Sequence, residues 1–234
     1  MPKPPRSSQI PLDFAPVPAS SRDDLIVSDR LSAAVAIVDR WPDWPSPVVI
    51  LTGPTGSGKS HLASIWAAKS GAVSIAASAG DADAIALASA GPVLIEDIDQ
   101  TGFDEVQLFH LINAVRAHSG GMLITTRLWP AAWNVALPDL ASRLKAAMTV
   151  EIGEPDDELL AQVLVKLFAD RQVAADDRVI SYIVARMERS LAAARHLVVR
   201  LDALALGRQS RITRSLAAEA LAEMAAGNAD TELS

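Results

Sequence analysis

Val48-Val-Ile-Leu-Thr-Gly-Pro-Thr-Gly-Ser-Gly-Lys-Ser-His-Leu62 decides how this chain is read. The first five residues, Val48–Thr52, form a short run rich in Val and Ile, the composition of a strand buried on both faces of a parallel sheet. The next eight, Gly53, Pro54, Thr55, Gly56, Ser57, Gly58, Lys59 and Ser60, match the pattern G-x-x-x-x-G-K-[ST] in full. A helical stretch opens at Lys59, so the motif stands between strand and helix, the context it requires. Glycine permits the conformations that turn backbone N–H groups inward onto phosphate oxygens, and a helix N-terminus adds its partial positive charge. The spacing predicts that Lys59 reaches the β and γ phosphates and that the Ser60 hydroxyl ligates Mg²⁺.

Outward from this stretch the pattern repeats. Apolar runs at Val48–Thr52, Ala72–Ile75, Val93–Ile95, Met122–Thr125 and Met148–Ile152 predict strands, and helices are predicted over 59–69, 81–90 and 104–118. Strand–helix alternation implies right-handed crossovers and an α/β class with a parallel sheet. Before it, Leu31, Ala34, Val35 and Val38 follow helical spacing until the prolines between Trp41 and Pro47 break the pattern. After Pro155 the strands stop. Four apolar stripes at helical spacing follow, beginning at Leu159, Val179, Leu197 and Leu216, and predict a small all-α bundle. The expected organisation is an extended tail over 1–21, a nucleotide-binding α/β domain over 22–154 and an α-helical lid over 155–234.

Composition narrows the classes. The chain has 234 residues, half of them hydrophobic, which rules out global disorder. Its 21 basic and 28 acidic residues leave a formal charge of −7, which argues against broad electrostatic binding to DNA or anionic membranes. With no cysteine, disulfides, Cys-ligated zinc and thiol catalysis are excluded. No apolar run approaches the roughly 20 residues that span a bilayer. Met1 to Ser8 is basic and Pro-rich but lacks the apolar core of a secretory signal, so the expected setting is cytoplasmic. The histidines show no metal-like spacing.

Two further strand ends carry chemistry. Val93-Leu-Ile-Glu96-Asp97 ends in two carboxylates, and a carboxylate at the carboxyl end of a parallel strand lies beside the phosphate crevice. One, Glu96, would hold Mg²⁺ and Asp97 would orient an attacking water; Asp99 reads as a solvated surface charge. Met122-Leu-Ile-Thr-Thr126 ends in hydroxyls: Thr126 would sense the γ phosphate, or the pair would satisfy local backbone groups.

In this order the pieces resemble the AAA+ family, and more narrowly its DnaA-related branch of Hda-like regulatory inactivators. Asp23-Asp-Leu-Ile-Val27, the phosphate loop trailing into His61 and Leu62, Ile95-Glu-Asp-Ile98, Leu123-Ile-Thr-Thr126 and above all Leu137-Pro-Asp-Leu-Ala-Ser-Arg-Leu144 carry the resemblance, over about residues 22–225. It implies an AAA+ core with a lid, nucleotide contacts that include His61, and an arginine finger at Arg143; the bland alternative is a surface arginine paired with Asp139. It also implies an initiator, DnaA, as partner, with a homo-oligomer as a further possibility and no sequence-specific DNA binding. Initiators carry additional amino-terminal and helix-turn-helix domains that the sequence lacks, so the resemblance points to the shorter regulators. Gln9-Ile-Pro-Leu12-Asp-Phe14 resembles the Q-x-x-L-x-F peptide that binds the DNA sliding clamp: in an extended chain Leu12 and Phe14 share one face and the Gln9 amide can hydrogen-bond at a pocket rim.

Three positions depart from the family pattern. Glu96 stands where the family has aspartate, Arg127 where initiators often carry an acid, and Ala192 where the lid carries a nucleotide-facing arginine, with Arg189 and Arg195 as possible substitutes. These departures imply that the chain's own hydrolysis is slow and that ATP or ADP serves mainly to fix its shape. The remaining readings are a self-hydrolysing AAA+ ATPase, acting as a helicase loader or remodelling factor, and a nucleotide-stabilised scaffold. A basic run from Arg186 to Arg214 reads as a solvated helix face, or less readily as a contact to DNA.

Overall fold

The pleat of the central strands sorts their side chains into two hydrophobic cores. A computed structural model describes residues 25–76, 82–118 and 120–231, with side chains through residue 226. Its parallel sheet carries β1 (Val48–Thr52), β2 (Val73–Ser74), β3 (Val93–Ile95), β4 (Met122–Thr126) and β5 (Met148–Glu151) in the order β2-β3-β4-β1-β5. β1 pairs in register with β4 from Val48↔Met122 to Thr52↔Thr126 and with β5 on its other side. Val48, Ile50, Val93, Ile95, Met122 and Ile124 face one core, while Val49, Leu51, Leu94 and Leu123 face the other. Both faces are therefore apolar, which is why these strands read as continuous runs instead of alternating ones.

Helices cover each face. On one side lie α1 (Asp29–Asp39) and α2 (Lys59–Ser70), burying Leu31, Val35, Leu62 and Trp66. On the other lie α3 (Ala82–Ala90) and α5 (Glu105–Ala117), with Ala84, Leu108, Leu111 and Ile112 buried. The predicted strands and these helices appear within one to two residues of their expected bounds. Two further helices lie in stretches for which no helix was predicted: the single turn α4 (Ile98–Thr101), and α6 (Pro138–Lys145), which has proline in its first turn and buries Leu140 and Leu144 against α5. Strand order reverses about β1: the chain leaves β1 toward the β2 edge and later crosses from β4 past β1 to β5. The carboxyl end of β1 is thus the switch point, where ligands of open α/β sheets bind.

Only helices follow β5: α7 (Asp157–Asp170), α8 (Asp177–Val184), α9 (Leu191–Arg208) and α10 (Arg214–Thr231). They close over their own core of Leu160, Leu164, Phe168, Ile183, Leu197 and Leu201. Asp156 caps α7 by accepting the Leu159 N–H at 2.9 Å, which retains a donor the helix leaves unpaired. Leu159, Val163 and Leu191 reach back to the α1–α2 core, so the helical part packs on the sheet part.

Trp41, Trp44 and Trp66 pack as a triad under α1, with Trp44 stacked on Trp66 at 5.0 Å between centroids and its Nε1 donating to Ile37 O at 2.7 Å. Gly121, at the start of β4, makes room for the Trp41 ring, since a Cβ there would collide with it. Gly121→Ala is expected to lower stability by about 1–3 kcal/mol through overpacking. Gly207→Ala, on an exposed turn of α9 with nothing near the new methyl, should instead raise it by up to about 1 kcal/mol. Urea midpoints of the two variants check both signs.

Candidate nucleotide-binding site

The loop between β1 and α2 adopts the backbone its glycines allow. Gly53, Gly56 and Gly58 have φ of 153°, 73° and 104°, values that L side chains rarely adopt. A Cβ on Gly53 would run into the Ile152 carbonyl, and one on Gly56 into Ser190. Lys59 is 5 % exposed, and its Nζ donates to Gly53 O and Pro54 O, each at 2.8 Å. Burial pushes the Lys59 ammonium below the ordinary lysine range; Asp97 opposes the shift and Arg127 adds to it. The Ser57 hydroxyl is buried in the same loop with no hydrogen-bond partner. Gly58 caps α2 without a side chain, so the first N–H groups of the helix remain open to an anion.

A cleft of ≈ 280 Å³ opens over this loop. Leu25, Leu31 and Leu191 make one part of its wall apolar, while Lys59, Arg127 and Arg195 supply cations. Thr55, Gly56, Gly58, Ser60 and His61 also line it; Gly53, Pro54 and Ser57 shape the loop from behind. An apolar wall beside a cationic, glycine-turned loop suits a nucleotide, whose base is apolar on its faces and whose phosphates are anionic.

The acidic strand end divides in two. Asp97 lines the cleft, with φ of 46° and its N–H donating to Thr125 Oγ1 at 2.9 Å. Glu96 is half-buried and is not among the residues that line it. Of the two strand-end carboxylates, Asp97 is the one that lines the cleft, as Ser60 does. Asp99 keeps contact with solvent, and its Oδ1 accepts the Arg127 N–H at 3.0 Å. Burial works against the Asp99 charge, but the hydrogen bonds from Arg127 and Gln100 outweigh it and hold the carboxyl below its ordinary value. Thr126 is fully buried, donates to Leu128 O at 3.0 Å and accepts from Leu128 N–H at 3.1 Å. Thr125 is thus tied to the Asp97 backbone, 28 residues away, and Thr126 to its neighbour Leu128; Thr126 does not line the cleft.

The lid meets the phosphate loop through one helix end. Ser190 caps α9 by accepting the Ala193 N–H at 3.2 Å, and the Leu191 N–H donates to Gly56 O at 2.8 Å. This sets the register of α9: Ala192 and Arg195, one turn apart, line the cleft. Arg189 instead pairs with Asp157 at 2.7 Å, so of the two arginines only Arg195 lines the cleft.

Part of the basic run is locally neutralised. Arg189 pairs with Asp157 and Arg200 with Glu223, each at 2.7 Å, Arg208 pairs with Glu219, and Arg186 lies over the Tyr182 ring. The solvated, ion-paired face is what the geometry favours.

Arg143 lies in the last turn of α6, half-buried, and does not line the cleft. Among the described residues no carboxylate pairs with its guanidinium, Asp139 included. Glu105, at the start of α5, fixes the approach to α6 by accepting the Ala136 and Leu137 N–H groups at 2.9 and 2.6 Å. Glu105 and Ser190 were not singled out from sequence. An acid at a helix start and a serine ahead of an apolar run are ordinary capping signals, and their distant partners appear only in the fold. Gln9, Leu12 and Phe14, with Asp23 and Asp24, lie outside the described residues.

No family model matches the sequence, and no curated protein matches it either. Solved structures do. Domain III of the replication initiation protein DnaA from Thermotoga maritima superposes with a TM-score of 0.72 at 16% identity, over 88% of this chain and 97% of that one. The chain has the α/β AAA+ fold. AMPPCP-bound DnaA from Aquifex aeolicus matches with a TM-score of 0.66 at 19% identity, over 80% of this chain and 66% of that one. The RuvB Holliday junction branch migration motor of T. maritima matches at 0.69 and 17% identity, over 86% and 71%. At these identities the likeness establishes the AAA+ fold alone. Among the described residues no helix is long and apolar enough to cross a membrane, and no cluster of acidic or histidine side chains could hold a metal by itself.

Proposed function

We propose that this chain is a negative regulator of chromosomal replication initiation, acting in the cytoplasm on a DnaA-type initiator. It binds ATP or ADP between a nucleotide-binding unit (22–154) and a lid (155–234), and it supplies Arg143 in trans to the initiator's bound ATP. The observation that carries the reading is Arg143 itself, an arginine with no carboxylate partner among the described residues, on a helix that does not reach the chain's own cleft. A planar guanidinium set beside a neighbour's γ phosphate stabilises the charge that spreads over its oxygens during transfer. Beside it, a groove of ≈ 410 Å³ lined by Trp129, Pro130, Leu144, Lys145 and Thr149 offers a surface on which a neighbouring protomer can seat. Nucleotide binding is supported by the positive-φ glycines, by the orphaned Ser57 hydroxyl and by Lys59; Mg²⁺ would be held by Ser60 and a strand-end carboxylate, of which Asp97 lines the cleft.

Gln9, Leu12 and Phe14 would dock the chain on the sliding clamp, confining its action to DNA already under replication. The test is ATP hydrolysis by the initiator of the same organism, with clamp loaded on DNA, with and without this chain. Clamp-dependent acceleration is expected; none, with the chain folded and nucleotide-bound, overturns the reading. The double change Leu12→Ala, Phe14→Ala should reduce clamp binding by about a hundredfold or more, as loss of two buried anchors does, while leaving nucleotide binding unchanged. Surface plasmon resonance on immobilised clamp reads this directly. Asp97, which lines the cleft as Ser60 does, favours one alternative, a self-hydrolysing AAA+ ATPase, which predicts appreciable turnover by the isolated chain.

A further inference from the structure

Arg127 follows β4 directly, and its backbone is held on both sides. Its N–H donates to Asp99 Oδ1 at 3.0 Å, and its carbonyl accepts from Thr52 Oγ1 at 3.5 Å. Thr126 fixes the next residue through Leu128, and Thr52 and Thr126 are themselves buried. The side chain lines the nucleotide cleft in company with Lys59. Asp99 is occupied, one oxygen by the Arg127 amide and the other by Gln100 Nε2 at 3.1 Å. Among the described residues no carboxylate forms an ion pair with the Arg127 guanidinium.

An exposed arginine ordinarily swings free in solvent. This one is held through its backbone and lines one cleft with Lys59, Arg195 and a single carboxylate, Asp97, so the cations outnumber the anion there. We propose that Arg127 is a phosphate ligand of the nucleotide cleft, placed by Asp99 and Thr52 and acting opposite Lys59. The proposal rests on the reading of the cleft as a nucleotide site and extends it. The guanidinium fork matches phosphate oxygens two at a time, where an ammonium offers only a point charge. Lys59, Arg127 and Arg195 set three cations against Asp97, the carboxylate that lines the described cleft. Phosphate charge is thereby met largely by protein, and binding depends less on a divalent metal than it would with an acid at position 127.

The test is titration of a fluorescent ADP into the full chain, once with Mg²⁺ and once with EDTA. The unmodified chain should bind in both buffers. Arg127→Ala should bind about tenfold to a hundredfold more weakly, the range for a hydrogen bond to a charged group, with the greater loss in EDTA, where no metal shares the phosphate charge. Arg127→Lys should recover part of the affinity. Arg127→Ala binding equal to the unmodified chain in both buffers overturns the proposal and leaves the nucleotide site standing. A loss of affinity accompanied by a lower melting temperature of the nucleotide-free variant also overturns it, because the role would then be structural. If the unmodified chain takes up no ADP in either buffer, the nucleotide reading itself falls.

Discussion

Arg143→Ala should abolish the acceleration of the initiator's ATP hydrolysis, a loss of about 10³–10⁵ in rate if the finger acts as trans fingers do elsewhere. The same variant should bind ADP as tightly as the unmodified chain, because Arg143 does not line the cleft. Its stability should stay within about ±0.5 kcal/mol, since the side chain is half-buried and breaks no ion pair when removed. Arg143→Lys is expected to fail almost as badly. A lysine keeps the charge but not the planar fork that spans two phosphate oxygens. Steady-state phosphate release with clamp-loaded DNA separates the outcomes. If Arg143→Ala stimulates as well as the unmodified chain, the finger lies elsewhere. If it also loses ADP binding or unfolds, Arg143 serves this chain's own structure.

Arg143 also marks how far the sequence carried. The sheet was legible because β1, β3 and β4 are buried on both faces, so their apolar runs are continuous and end in turn residues. The phosphate loop was legible because its glycines take φ values that side chains disfavour and the flanking strand and helix fix its context. α6 was harder: eight residues with proline in the first turn give too short a periodic signal, and the helix is held from outside by Glu105, more than thirty residues earlier. The strand-end acids show the same limit. Glu96 and Asp97 are adjacent and chemically alike, and only the fold shows that Asp97 lines the cleft. The hydrogen bond from the Arg127 N–H to Asp99 joins residues 28 apart, invisible to any pattern of side chains. In sequence the lid register left Arg189, Ala192 and Arg195 open; in the fold Ala192 and Arg195 line the cleft and Arg189 pairs with Asp157.

Lys59→Met should have effects of opposite kinds on the empty and the nucleotide-bound protein. In the empty protein the ammonium is buried against two loop carbonyls, and burial lowers its pKa, so its charge is a net burden there. Methionine matches the length and removes the desolvation penalty, at the cost of two carbonyls that lose a donor. Those terms oppose one another, and the nucleotide-free stability should change by no more than about 1 kcal/mol in either direction, or about 2–4 °C in melting temperature. Added nucleotide reverses the balance. A ligand at about 100 times its Kd stabilises the folded state by about 2.7 kcal/mol, or roughly 5–10 °C for a chain of this size. Without the ammonium that reaches the phosphates, that shift should vanish. Melting curves at matched ADP concentrations measure both halves. A Lys59→Met protein that still gains the full shift would mean that the phosphates are held by the loop amides and arginines alone. A variant that unfolds without nucleotide would mean that the two carbonyl contacts, not phosphate binding, are what Lys59 chiefly supplies.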